Sequence, residues 1–330
     1  MDIPSLILLG RVSGVGSRRL RILIDHFGDP HAALRSSARE LARVPGIDEP
    51  TRRAILQVGL RQSDRGRQTI EDQLQRLAAL GGSVLTLWDR AYPPRLAAIH
   101  DAPPLLYLRG DLPATRHPWM LAIVGTRNPS PYGAYWAREF SYWLGSAGFT
   151  VVSGLARGID TFAHQAALDA GTHTIGILGS GIDVIYPPEN APLADRIIEH
   201  GAIISEFAMG SRPHAAHFPQ RNRIISGMCV GTLVIETGRR GGAMITAAMA
   251  LEQNRDVFAV PASLDARTVN GTNLLIKRGE ALLVERPQEL LEVLRPLLEP
   301  RASGHSPDHA SKCTCRASQS VTIAPPPHEG

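Results

Sequence analysis

Between residues 121 and 285 the chain alternates short, wholly apolar runs with longer amphipathic stretches, and no other feature restricts the possible folds as strongly. The runs are LAIVG (121–125), TVVSG (150–154), TIGILG (174–179), AIISE (202–206), TLVIE (232–236), DVFAVP (256–261) and ALLVE (281–285). Several are apolar at every position rather than at alternate ones, as strands are when helices cover both faces of their sheet. The stretches 132–147, 159–170, 190–200, 221–229, 242–253 and 271–278 read as the covering helices, with a last helix at 287–298. The alternation predicts an α/β fold with a doubly wound, mostly parallel sheet, whose ligands bind beyond the carboxyl ends of the strands.

The flanks differ from this centre. Residues 1–70 carry 12 arginines against 7 carboxylates, a net of +5, whereas the whole chain of 330 residues nets +4. Arginine dominates throughout; Lys277 and Lys312 are the lysines, a skew that genomic codon bias explains. VSGVGSRRLRIL (12–23) and VPGIDEPTRRAI (44–55) align at an offset of 32, each an apolar–Gly–apolar turn followed by a helix start. This predicts a small helix–hairpin–helix-like (SAM-like) domain over 1–70. Its turn amides, with Arg18, Arg19, Arg52 and Arg53 just beyond, suit a phosphate. A solvated arginine face is the plainer alternative, and Asp48 standing where the first copy has Gly16 repels an anion. Prolines 93, 94, 103, 104, 113 and 118 exclude long helices from 84–120 and leave short strands at 84–87 and 105–108. The Ser-, Pro- and His-rich segment 299–330 has too little apolar surface to offset its ordering entropy and is expected to be disordered. The main domain then covers 71–298.

Composition limits the function classes. The apolar runs fall well short of the roughly 20 residues a membrane span needs. MDIPSLILLGRVSGVG has no basic residue before its apolar stretch and no cleavage site after it, so it reads as a helix, and a cytoplasmic location is expected. Three cysteines, Cys229, Cys313 and Cys315, exclude a disulfide scaffold and suit a reducing compartment. Cys313 and Cys315 with His305 and His309 lack the fixed scaffold a zinc site needs, so no metal is expected.

The strand-end loops carry the functional signal. GTRNPSPYG (125–133) joins a turn at Gly125 to a guanidinium at Arg127, either an anion site or a plain surface arginine. SGLARGID (153–160) offers Gly154, Arg157 and Gly158, with Asp160 placed to cap the next helix; a packing turn is the alternative. GILGSGIDVIYPPEN (176–190) has Gly179 and Gly181 but only part of a dinucleotide fingerprint, so no nicotinamide site, and no other cofactor, is expected. HAAHFPQRNRIISG (214–227) sets Phe218 beside Arg221 and Arg223, with histidines and a loop-fixing proline. An aromatic face with guanidiniums suits single-stranded nucleic acid, although Phe218 in the core and Asn222 as a cap would give the same pattern. Glu206 and Glu236 end two strands and are the acid/base candidates if the chain is instead a nucleotide-binding hydrolase or sensor.

GTRNPSPYG, SGLARGIDTFAH, GILGSGIDVIYP, ISE, FPQRNRIISG, TLVIE, ITAAMALEQNRDVFAVP and GTNLLIKRG occur in this chain in the order in which they occur in the DNA-processing protein A family (DprA, also called Smf), which residues 80–285 resemble. The resemblance implies an extended Rossmann-like domain behind a small helical one. It implies a cytoplasmic, non-enzymatic bacterial protein, without a cofactor, that binds single-stranded DNA. Such a protein protects incoming strands and loads the RecA recombinase during natural transformation. It further implies DNA contacts at Arg127, Arg157, Phe218, Arg221 and Arg223, with Phe218 stacking on a base; from the loops themselves, Gly125, Gly154, Gly179, Gly181 and Asn222 are expected at the same site. Self-association, as a homodimer, and RecA contact are implied for GTNLLIKRGEALL, through Asn273, Ile276 and Leu282. The chain departs from its relatives in four respects. GGAMIT (241–246) replaces Ser-Gly-Ser-Leu-Ile-Thr and so lacks two hydroxyls. Ala262 replaces a glycine after Pro261. Ala215 stands where relatives often carry a basic residue, with His214 and His217 nearby. The polar tail is too short for the winged helix that ends many relatives.

Overall fold

The computed structural model describes residues 1–60, 64–110, 119–263 and 270–298, so the expectation for 299–330 lies outside the described residues. Six helices open the chain: α1 (Ile3–Gly10), α2 (Ser17–Phe27), α3 (Pro30–Arg35), α4 (Ala38–Leu41), α5 (Glu49–Leu60) and α6 (Asp64–Ala79). Their starts follow local chemistry. Asp29 accepts hydrogen bonds from the amides of His31 and Ala32 at the head of α3, and Ser37 and Glu40 close a capping box on α4. Leu6, Leu9, Leu23, Ile24, Leu34, Leu41 and Ile55 form the helical core. The two repeat turns sit at Gly14 (φ +84°) and Gly46 (φ +76°), left-handed conformations that disfavour a Cβ. α6 passes through residue 70, where the charge count places a division.

The expected solvated arginines of this region are tied to its carboxylates. Asp48 takes the amide of Thr51 at 3.0 Å and pairs with Arg19 at 2.6 Å. Glu49 holds Arg52 at 2.7 Å and Arg53 at 2.8 Å. These pairs occupy Arg19, Arg52 and Arg53, and the net charge of +5 over residues 1–70 remains on the other arginines.

A nine-stranded sheet follows, in the order β1-β2-β6-β5-β4-β3-β7-β8-β9. The strands are β1 (Gly82–Thr86), β2 (Leu105–Gly110), β3 (Met120–Val124), β4 (Thr150–Ser153), β5 (Thr174–Ile177), β6 (Ala202–Ser205), β7 (Gly231–Val234), β8 (Asp256–Ala259) and β9 (Leu282–Leu283). β3 through β9 pair in parallel, and β1 and β2 add an antiparallel edge beside β6. The connecting helices are α7 (Pro94–Ala97), α8 (Pro131–Ser146), α9 (Ile159–Asp169), α10 (Ala191–His200), α11 (His217–Met228), α12 (Gly242–Glu252), α13 (Gly271–Lys277) and α14 (Pro287–Leu298). Side chains alternate across β3: Met120, Ala122 and Val124 pack into one core and Leu121 and Ile123 into the other, among Phe140, Phe149 and Phe258. The doubly wound reading is correct.

Two boundaries differ from expectation, for physical reasons. Most strands end one or two residues early at their carboxyl ends; β5 stops at Ile177 and β7 at Val234, because the chain leaves the sheet to build loops. α11 begins at His217, four residues before the expected start, so Phe218 and Pro219 belong to its first turn and not to a loop. Proline is tolerated there because first-turn amides have no intrahelical acceptor. Chain order reverses between β3 and β7, since β4 to β6 extend to one side of β3 and β7 to β9 to the other. The carboxyl ends of β3, β4 and β7 meet at that switch point. Among the described residues no helix is long and apolar enough to cross a membrane.

Two predictions follow from this packing. Phe140 is fully buried between α8 and the sheet, so Phe140→Ala is expected to cost about 3–5 kcal/mol in urea unfolding. Asp48 is lowered to about 2 by the hydroxyl and amide of Thr51 and by Arg19. A carboxyl whose folded value is depressed stabilises fully above its unfolded value and loses this as pH falls through the folded one. Asp48→Asn should therefore melt earlier than the parent at about pH 7, and the gap should close as pH falls from about 4 toward about 2.

Candidate nucleic-acid interface

The first turn of α11 builds one wall of a cleft of about 550 Å³ at the switch point. On a helix, residues three and four apart share a face, and residues two apart do not. Phe218, Arg221, Asn222 and Ile225 follow the shared spacing, and all four line the cleft. Arg223 lies two residues beyond Arg221 and points away. Its Nη1 and Nη2 donate to the two carboxylate oxygens of Glu206, each at 2.7 Å, and its Nε meets Asp101 at 2.8 Å. Burial works against the charge of Arg223, but the Glu206 carboxylate more than offsets this and raises it further above its usual range. The expected pairing of Arg221 and Arg223 on one DNA-facing surface is thus corrected: α11 separates them, and Arg223 braces the helix against β6 and the proline-rich segment.

Arg221 is buried beneath the cleft floor. Its guanidinium donates to the carbonyls of Gly154 and Ile177, at the ends of β4 and β5, and to Asn222 Oδ1 at 3.2 Å. Burial pushes it down to about 10, partly countered by Asp160, while Arg127 lowers it further. Gly154 has no side chain because the guanidinium occupies the place where a Cβ would stand. Asp160 does not cap α9 as expected. It lies within the first turn, and its Oδ2 accepts from the amides of Gly154 at 3.1 Å and Ala156 at 3.3 Å, shaping the preceding loop. Burial raises this carboxyl despite the nearby Arg221 charge.

Above this base stands Phe218, half-buried rather than sealed inside. The exposed Arg127 guanidinium lies 5.2 Å from its ring centroid and that of Arg221 lies at 6.0 Å. A Cβ on Gly179 would come within 2.9 Å of the ring, so that glycine seats it. Tyr186, 5.9 Å away centroid to centroid and itself exposed, escaped the sequence reading although it lies in the GILGSGIDVIYPP motif. Arg157 is exposed and paired with Glu189, a partner the sequence did not suggest. Gly125 lies on the cleft wall. Gly181 does not line the cleft; it packs instead against Ala208 and Gly210.

The far wall is the start of α12. Its N-cap, Gly241, offers no side chain to the first amides, and Gly241 and Gly242 both line the cleft. GGAMIT therefore leaves an uncapped helix N-terminus facing the cavity, which favours an anion. Neither acid/base candidate lines the cavity. Glu206 is held by Arg223, and Glu236 accepts from the amide of Ser130 at 3.0 Å and from its hydroxyl, securing the head of α8. Among the described residues no group of three His, Cys, Asp or Glu is placed to hold a metal. In the distal segment, Asn273 exchanges two hydrogen bonds with the backbone of Ala262, at 2.9 and 2.8 Å. Ile276 is half-buried, and Leu282 is exposed on the edge strand β9.

Residues 83–295 match the model of the DNA recombination-mediator protein A family. The chain belongs to that family. It is 42% identical over 259 residues to Protein Smf of Escherichia coli, covering 76% of this chain and 69% of the relative. It is 42% identical over 206 residues to DNA processing protein DprA of Streptococcus pneumoniae, covering 62% of this chain and 72% of the relative. The X-ray structure of the Streptococcus pneumoniae protein superposes with a TM-score of 0.77 at 33% identity, covering 88% of this chain and 98% of that one. A structure of DNA processing protein A from Helicobacter pylori, described for that protein's single-stranded DNA binding mode, superposes with a TM-score of 0.60 at 28% identity, covering 65% of this chain and 96% of that one.

The site separates posts from contacts, and stability measurements distinguish them. Arg221→Ala leaves Asp160 buried without its counter-charge and two carbonyls without donors, and should cost about 3–5 kcal/mol in urea unfolding. Arg127→Ala removes an exposed side chain and should stay within about 0.5 kcal/mol of the parent.

Proposed function

We propose that this chain is a single-stranded DNA-binding recombination mediator, and that the strand lies in the cleft at the β3–β7 switch point. The observation that carries this reading is the exposed Arg127 guanidinium beside the half-buried Phe218 ring, opposite the uncapped start of α12. A phosphate meets Arg127 and the free amides of α12, and a base stacks on Phe218, whose ring Gly179 and Arg221 hold in place. Asn222 supplies a polar edge on the same wall. Arg157 joins by exchanging Glu189 for a phosphate; an exposed pair of this kind is worth little and yields readily. Membership of a recombination-mediator family and the single-stranded DNA described for the Helicobacter pylori relative support this reading.

Cytoplasmic action, protection of incoming strands and loading of RecA belong to the same proposal. So does a homodimer formed, or RecA met, on the β9 edge, where Leu282 and Leu283 are exposed beside the half-buried Ile276. Asn273 would act there by fixing the backbone at Ala262. The helical cluster of the first 70 residues is proposed as a separate functional part.

The test is filter binding to oligo-dT at two salt concentrations. Phe218→Ala is expected to lose about 1–3 kcal/mol of affinity, the value of one stacked base. Arg127→Ala should weaken binding to oligonucleotides of every sequence alike and flatten the salt dependence by about one unit. If the double variant binds oligo-dT as tightly as the parent, the cleft is not the DNA site.

A further inference from the structure

A second group of rings starts next to Phe218 in the chain. His217, immediately before it, is half-buried and stacks on Phe207, with ring centroids 4.1 Å apart and planes at 22°. His214 adds a third ring, 5.5 Å from that of His217. The Nδ1 of His217 stands 3.2 Å from the carbonyl oxygen of Gly179, which assigns a hydrogen to that nitrogen. The Nδ1 of exposed His214 accepts from the amide of Ala216 at 3.3 Å, which leaves the hydrogen on Nε2 as a donor.

Phe207 also lines a second groove, of about 330 Å³, between α1 and α2 on one side and β2 with the loop after β6 on the other. The walls are largely apolar, with Leu6, Leu20, Pro103 and Pro104 among them. Two charged residues line it. Glu206 is neutralised by Arg223, and Arg11 is exposed with the amide oxygen of Gln73 as its partner at 3.1 Å. The charge available in the groove is therefore positive. Cleft and groove meet at the first turn of α11, where Pro219 lines the one and Gln220 the other.

We propose that this groove is a second station for the same single strand. Nucleotides leaving Phe218 cross the first turn of α11 over His217 and His214. They place unstacked bases against Phe207 and the apolar walls, and a phosphate at Arg11. The meeting of groove and cleft at Pro219 and Gln220, the rings of Phe207, His217 and His214 beside it and the charge of Arg11, unpaired among the described residues, favour a polynucleotide over a protein segment. The inference rests on the reading of the cleft as a DNA site, and it gives the helical cluster a part in holding the strand that needs none of its paired arginines.

The test uses the full chain and oligo-dT of two lengths, about 6 and about 15 nucleotides, which lie near the two ends of the range of site sizes of small single-strand-binding folds. Arg11→Ala combined with His214→Ala alters two exposed side chains outside the cleft. It is expected to weaken binding of the longer oligonucleotide about tenfold, to make its salt dependence shallower by about one unit, and to leave the shorter unaffected. Arg127→Ala should weaken both lengths. If the groove variant binds both lengths as the parent does while Arg127→Ala weakens both, the second station is wrong and the cleft reading stands. If the parent binds neither length, or Arg127→Ala changes neither, the cleft reading fails and the second station fails with it.

Discussion

The site depends on one buried guanidinium. Arg221 sits where β4 and β5 end, with the carbonyls of Gly154 and Ile177 as acceptors and Asp160 close enough to sustain its charge. Both charged groups are shifted toward their neutral forms, the arginine downward and the carboxyl upward, and burial is the leading cause in each case. Desolvation thus outweighs their mutual attraction. A charge buried in this way is poor value as a stabiliser, because well-packed apolar side chains of similar volume often do as well. What it supplies is position: two strand ends, the 154–160 loop and the first turn of α11 are tied to one planar group, and the Phe218 ring rests above it.

That arrangement explains why four arginines with similar sequence surroundings differ physically. Arg221 and Arg223 are buried and hydrogen-bonded within the fold. Arg157 is exposed and shares its charge with Glu189. Arg127 is exposed on the cleft rim, next to an aromatic ring and, among the described residues, without a carboxylate partner. The same distinction governs the helical cluster, whose net charge of +5 suggests an anion-binding face. Asp48 and Glu49 take up three of its arginines, so net charge there says little about binding and local pairing says much.

The sheet was legible because wholly apolar runs separated by amphipathic stretches have few other ways to bury themselves, and every expected strand from 121 to 285 exists. The strand-end loops were legible too: Gly125, Arg127, Phe218 and Asn222 do meet in one cleft. Pairing was not, since the acids that neutralise the arginines come from distant positions. Asp101 and Glu206 meet Arg223 only through the fold, and Glu189 reaches Arg157 across 32 positions. The error over Arg221 and Arg223 had a local cause. Both lie within the expected helix 221–229, and a helix sends residues two apart to different sides, so closeness along the chain confers no common face on them.

At GGAMIT the N-cap of α12 carries no side chain. A hydroxyl at a helix N-cap satisfies one of the free amides and thereby competes with any external anion. With Gly241 as the cap, that internal competitor is absent, and Gly241 and Gly242 lie on the cleft wall across from Phe218. The helix forgoes part of its capping stabilisation, and its terminal partial charge remains available to a phosphate. A glycine cap thus serves the helix less well and leaves these donors open. An equivalent argument applies at Gly179 and Gly154, where absent side chains make room for the Phe218 ring and the Arg221 guanidinium. Around this cleft the glycines decide what the charged and aromatic residues are able to reach.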